Sequence, residues 1–193
     1  DCPERHKESH RMIGLRQEKW LQSSLENSNV NWNVLAQQVW FGHFAFGSAD
    51  HPEFNRDAWD GYPKERRRLL DFLVEHRISN PVVLSGDWHC SLVQDVSRDP
   101  TEPQSEKVVT EFAGTSLSSY CARTDPILEN LSLNPQVKFF DGQHRGYVRC
   151  QVDSEQWQTD YRFVSTAFDP HGATIYTGAS FVVESGRVGA NRA

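Results

Sequence analysis

Asn80-Pro81-Val82-Val83-Leu84-Ser85-Gly86-Asp87-Trp88-His89 is the stretch whose reading decides the fold. Val82, Val83 and Leu84 leave no polar face, as expected of a short strand covered on both sides. Gly86 is expected to let the backbone turn sharply where a side chain would crowd. Asp87 and His89 then fall at the carboxyl end of the strand, where open α/β sheets collect their ligands. On these residues alone the pair has three uses. It can hold a metal ion, serve as an acid/base pair, or be no more than an Asp closing a turn beside a surface His.

Composition narrows the class. In 193 residues, 37% hydrophobic, the 11 Phe, 6 Trp and 5 Tyr supply bulky core material, while the single Met points to a rigid core. A net charge of −6 disfavours a general nucleic-acid grip. No apolar run reaches the length of a membrane span. The opening Asp1-Cys2-Pro3-Glu4-Arg5-His6-Lys7-Glu8 has no apolar segment of the signal-peptide kind, and the chain reads as a piece of something longer. Cys2, Cys90, Cys121 and Cys150 show no CxxC spacing, so a zinc knuckle is disfavoured and disulfides stay undecided.

Upstream of the decisive strand, Pro63 to His76 reads as a helix with Leu69, Phe72, Leu73 and His76 inward and Arg66, Arg67 and Arg68 starting outside. Before it, Asp57-Ala58-Trp59-Asp60-Gly61-Tyr62-Pro63 interleaves acids and aromatics, with Asp60 placed to cap the helix. Asn31 to Phe41 is rich in β-formers and is expected to be a central strand, sending Gln37 and Gln38 to opposite faces. His43, just after it, reads as a packed loop residue. Gly14 to Asn27 is helical, with Gln17, Leu21 and Leu25 on the inner face and Gln17 expected to be a buried amide. Residues 1–13, with His6 and His10, form a polar lead-in of the solvated, partly disordered kind.

Downstream, Ser91 to Val96 and Val108 to Thr115 read as strands, separated by a polar loop from Arg98 to Lys107. The hydroxyl cluster Thr115-Ser116-Leu117-Ser118-Ser119 is expected to cap a helix, with phosphate binding the alternative. Pro126 to Leu133 reads as a short helix. An antiparallel tail follows in Val137 to Phe140, Gly146 to Val152, Trp157 to Ser165 and Ala179 to Glu184. Neither a repeat nor a domain boundary interrupts residues 14–193.

Six segments in order then resemble one family. They are Gln17-Glu18-Lys19-Trp20-Leu21, Trp32-Asn33-Val34-Leu35-Ala36-Gln37-Gln38-Val39, Trp59-Asp60-Gly61-Tyr62-Pro63, Gly86-Asp87-Trp88-His89, Glu111-Phe112-Ala113-Gly114-Thr115-Ser116 and Arg145-Gly146-Tyr147-Val148. Together they look like the carboxyl-terminal half of the alkaline phosphatase D family of metallophosphoesterases. The resemblance implies an α/β fold, half of a four-layer αββα sandwich with mixed central sheets and an antiparallel β tail. It implies hydrolysis of phosphate monoesters or diesters at an iron and calcium site, with Asp87 and His89 as ligands and Asp57 and Asp60 bordering the same site. His89, if not a ligand, could protonate the leaving group. A secreted or periplasmic parent is implied as well.

Three departures qualify this. Trp88 stands where the family has a small aliphatic residue, and Asp141-Gly142-Gln143-His144 matches no role. The family's amino-terminal ligands, including an Asp-Asp-His-Glu segment, do not occur here. This chain alone is therefore expected to bind metal weakly and to turn over slowly or not at all. The alternative is a non-catalytic remnant or binding module of the same fold.

Overall fold

The decisive strand forms as expected. In the computed structural model, which describes residues 2–102, 104–169 and 171–193, the elements run α1 (Leu15–Glu26), β1 (Asn33–Ala36), β2 (Ala45–Gly47), β3 (Pro52–Phe54), α2 (Pro63–Glu75), β4 (Pro81–Ser85), β5 (Ser91–Ser97) and β6 (Lys107–Ala113). Then come α3 (Thr124–Asn130), β7 (Val137–Asp141), β8 (Arg145–Val152), β9 (Gln156–Val164), β10 (Ile175–Glu184) and β11 (Asn191–Arg192). Asp1 and Pro103, which belong to the expected lead-in and polar loop, lie outside the described residues.

Five strands form a mixed sheet in the order β1-β4-β6-β5-β7, with β4 parallel to both its neighbours. Four more form an antiparallel sheet in the order β11-β10-β9-β8. β4 shows why three layers result. Val83 packs into a core with Leu25, Leu69, Leu73 and Val109, beneath α1 and α2. Val82, on the opposite face, joins Val93, Phe112, Trp157, Tyr161 and Phe181, between the two sheets. Both valines are fully buried, each contributing about 1.5–3 kcal/mol of apolar transfer.

Several local expectations are corrected. Asn31 to Phe41 is not one central strand: only Asn33–Ala36 is extended, and it lies at the sheet edge. Past Ala36 the Gln37 N–H still donates to the Leu84 carbonyl at 3.0 Å, while its side-chain amide donates to the Val39 carbonyl and accepts from Trp59 Nε1 at 3.1 Å. Gln17 is exposed rather than buried; Glu18 beside it is half-buried and pairs with Arg11 and Arg68. In α2 the apolar stripe is Leu69, Leu70 and Leu73 with Phe72 half-buried against the same core, His76 is exposed, and Arg66 turns inward rather than outward. The i, i+3, i+4, i+7 spacing from Arg66 explains this, since it places the arginine on the Leu69–Leu73 face.

β7 joins the mixed sheet against β5, whereas the tail sheet begins at β8. The lead-in packs down: Arg5 is buried, with its guanidinium 4.2 Å from the Phe54 ring centre. The β8–β9 pairing and its Asp153–Glu155 connection agree with the sequence reading.

Candidate functional site

Past β4 the backbone enters the left-handed region at Asp87 (φ 70°) and again at His89 (φ 58°). Gly86 is not the residue that needs conformational freedom. A Cβ there would meet only ordinary contacts, at 3.8 Å and 3.9 Å. Such φ values in side-chain-bearing residues cost of order 1–3 kcal/mol each and persist only where the surroundings impose them.

The surroundings do so from three sides. Trp88, between the two, is buried, stacked on Trp40 at 4.3 Å, with the Arg123 guanidinium 5.2 Å from its ring centre. The His89 carbonyl accepts from Thr115 Oγ1 at 3.1 Å and from Arg145 Nη1 at 2.9 Å. Arg145 is itself buried and also donates to Ser116 Oγ (3.1 Å) and the Gly142 carbonyl (2.7 Å). The hydroxyl cluster therefore braces this turn rather than capping α3.

His89 Nδ1 lies 3.2 Å from the Tyr120 carbonyl. A carbonyl can only accept, so this bond places the proton on Nδ1 and leaves the Nε2 lone pair for a ligand. Asp87 and His89 are both exposed side chains. They line a cavity of about 230 Å³ together with Asp57, Asn55, Tyr120 and Arg123. A second cavity, about 570 Å³, shares Asn55, Asp57 and Arg123 with it and extends past Phe46, Phe54 and Pro126. Three of the four expected site residues thus face one space.

Asp60 is placed differently. It is buried, does not line that cavity, and both its oxygens are engaged. Arg66 Nη1 donates to Oδ1 at 2.7 Å, His43 Nδ1 lies 3.1 Å from the same oxygen, and the Phe44 N–H donates to Oδ2 at 2.9 Å. Burial raises its pKa, but the Arg66 cation, the His43 bond and the Phe44 amide outweigh this and hold the carboxyl below its ordinary value. Asp60 does not use its side chain to cap α2, whose first turn follows Tyr62.

A second buried carboxylate lies behind the turn. Glu111, on β6, accepts from the Phe41 and Gly42 amides (2.8 Å each), from Ser85 Oγ (2.5 Å) and from Gln94 Nε2 (2.8 Å). Burial pushes its pKa up despite these four donors. It ties the end of β4 to the loop carrying His43. Beside the turn, the Cys90 and Cys121 thiols face each other. This contact, with burial, pushes Cys90 up, while the Cys90 thiol, the Thr124 hydroxyl and the Arg123 N–H draw Cys121 down.

Among the described residues, no group of three or more His, Cys, Asp or Glu side chains stands close enough to hold a metal ion unaided. Asp57, Asp87 and His89 share a space without closing a cage. Tyr120, Arg123 and the bracing role of Arg145 were not legible in the sequence. The Arg145-Gly146-Tyr147 motif signalled importance but not its object, because Arg145 reaches residues 26 and 56 positions away.

Comparison with known proteins supplies the family. The family model described as PhoD-like phosphatase matches residues 1–161. Alkaline phosphatase D of Bacillus subtilis (strain 168) is 40% identical over 184 residues, which cover 92% of this chain and 31% of that protein. The solved structure described as "Structure of PhoD" superposes with a TM-score of 0.87 at 37% identity, covering 100% of this chain and 37% of that one. The chain thus spans about a third of the length of the relatives it matches. With a family match over most of its residues, the chain belongs to the PhoD-like phosphatases.

Proposed function

We propose that this chain carries part of a metal-dependent phosphoesterase centre whose parent protein hydrolyses phosphate monoesters or diesters. The observation behind this reading is the convergence of Asp57, Asp87 and His89 on one cavity. The donor types fit iron and calcium, since carboxylate oxygens suit calcium and a carboxylate–imidazole set suits iron. When bound, such ions supply a water of lowered pKa and charge neutralisation for a phosphoryl group.

The chain's own residues account for the rest. Tyr120 fixes the His89 tautomer through its carbonyl, the kind of outer partner that orients a ligating imidazole. Thr115 and Arg145 hold the His89 backbone in its left-handed conformation. Arg123, stacked over Trp88 at the rim, presents a planar cation suited to phosphate oxygens. Asp60 is buried outside that cavity and held by Arg66 and His43, so its part here is to anchor the loop that carries Asp57. A His89 free of metal could instead protonate the leaving oxygen. The full four-layer sandwich and a secreted or periplasmic parent belong to the same proposal.

A second reading rests on the open arrangement of Asp57, Asp87 and His89, which among the described residues share a space without closing a cage. It makes the chain a non-catalytic member of the fold. Hydrolysis of bis(p-nitrophenyl) phosphate, with iron and calcium supplied, separates the two. The phosphoesterase reading expects slow release of p-nitrophenol that chelation stops and Asp87→Asn abolishes. Turnover indifferent to chelator and to Asp87→Asn would refute it; metal binding without turnover selects the second reading.

A further inference from the structure

We propose that Cys90 and Cys121 are a disulfide site that staples the Asp87–His89 turn to the loop bearing Tyr120 and Arg123. Of the four cysteines, Cys90 and Cys121 face each other, and both lie in the same apolar cluster with Trp40, Trp88 and Ile127. Cys90 follows His89 directly, and Cys121 follows Tyr120, whose carbonyl accepts from His89 Nδ1. The two loops are thus already in register through a hydrogen bond, one residue before each sulfur. Joining two cysteines requires their backbones to be held close, and the His89–Tyr120 bond holds these two loops together.

The chemistry proceeds by thiol–disulfide exchange with a low-molecular-weight disulfide. Cys121 is the entry point, since it is the less buried of the two, at 7% exposure against 1%. Its sulfur attacks the small disulfide, forming a mixed disulfide and releasing one small thiol. Cys90 then attacks the Cys121 sulfur and expels the second small thiol. The two protein thiols lose two electrons and two protons, and the small disulfide is reduced to two thiols.

The consequence is positional. The bridge would hold the Tyr120 carbonyl against His89 whatever occupies the cavity, and would close a loop of about 30 residues that otherwise adds entropy to the unfolded chain. This inference stands on the thiol pair alone and does not depend on the phosphoesterase reading.

The test uses the full chain and a Cys2→Ser/Cys150→Ser variant, in which any internal disulfide must be this pair. Each is incubated with oxidised glutathione, alkylated in urea without reductant, and weighed. The expected product is an unalkylated double variant about 2 Da lighter than its reduced form, a linked peptide pair containing Cys90 and Cys121, and a higher unfolding midpoint than after reduction. Alkylation of both cysteines, or a glutathione adduct on Cys121 that Cys90 never displaces, would overturn the proposal. The same peptide pair from the unaltered chain guards against an effect of the two serines.

Discussion

Replacing Arg66 with Met should unfold this protein far more readily than replacing either neighbouring arginine. Arg66 and Asp60 form an ion pair at 2.7 Å with side chains only 5% and 4% exposed. Removing the cation leaves the Asp60 carboxylate buried, with the His43 ring and the Phe44 amide as its remaining side-chain hydrogen-bond partners among the described residues. Breaking a pair of this kind costs about 3–5 kcal/mol, and the lost bond from Arg66 to the Phe41 carbonyl at 3.2 Å adds about 1 kcal/mol. Arg67, half-exposed in its pairs with Asp71 and Asp99, should contribute no more than about 1 kcal/mol.

Urea unfolding followed by tryptophan fluorescence at neutral pH measures this, with the denaturant slope unchanged. The pair also has an acid signature. Asp60 has a folded pKa below 3.8, so its stabilisation is present above that unfolded value and is lost as pH falls through the folded one. The acid limb of Asp60→Asn should therefore be flatter than that of the native chain. A loss below about 1 kcal/mol for Arg66→Met, or identical acid limbs, would mean that the buried Arg66–Asp60 pair does not hold the fold.

Further outcomes follow from the same contacts. Trp88→Ala should destabilise by about 3–5 kcal/mol, read by thermal unfolding, because it empties the stack with Trp40 that pins the turn. Thr115→Val, which removes one donor to the His89 carbonyl, should cost about 1–2 kcal/mol in urea unfolding while leaving the far sheet intact. Gly61→Ala should reduce soluble yield and lower the melting temperature, since its Cβ would lie 2.2 Å from the Arg56 carbonyl oxygen. Glu111 is raised above 4.5, so the stability it contributes is complete below that value and declines as pH rises through the folded pKa. The deficit of Glu111→Gln against the native chain should therefore shrink as unfolding is measured at rising pH.

The parts of the fold visible in the sequence were those governed by local pattern. Val82-Val83-Leu84 announced a strand buried on both faces, and the alternation around Asp153–Glu155 announced a hairpin. Patterns failed where distant partners decide. β-forming residues in Asn31–Phe41 gave no sign that the ladder stops at Ala36, where Gln37 meets Trp59 from 22 positions on. Arg66 read as solvated because its buried partner, Asp60, read as a helix cap. The candidate site was half legible: Asp57, Asp87 and His89 carry their chemistry in their side chains. Tyr120 acts through a backbone carbonyl, which no residue type advertises. Gly86 drew attention to the turn, but the unusual dihedrals fall on Asp87 and His89, where neighbouring contacts impose them.

Equilibrium dialysis against iron and calcium, comparing the native chain with Asp87→Asn and His89→Asn, tests the central claim most directly. If Asp57, Asp87 and His89 are ligands of one centre, the native chain retains metal weakly and each variant loses about 10-fold or more in affinity, with the fold unchanged by circular dichroism. Equal retention by all three proteins would contradict the account.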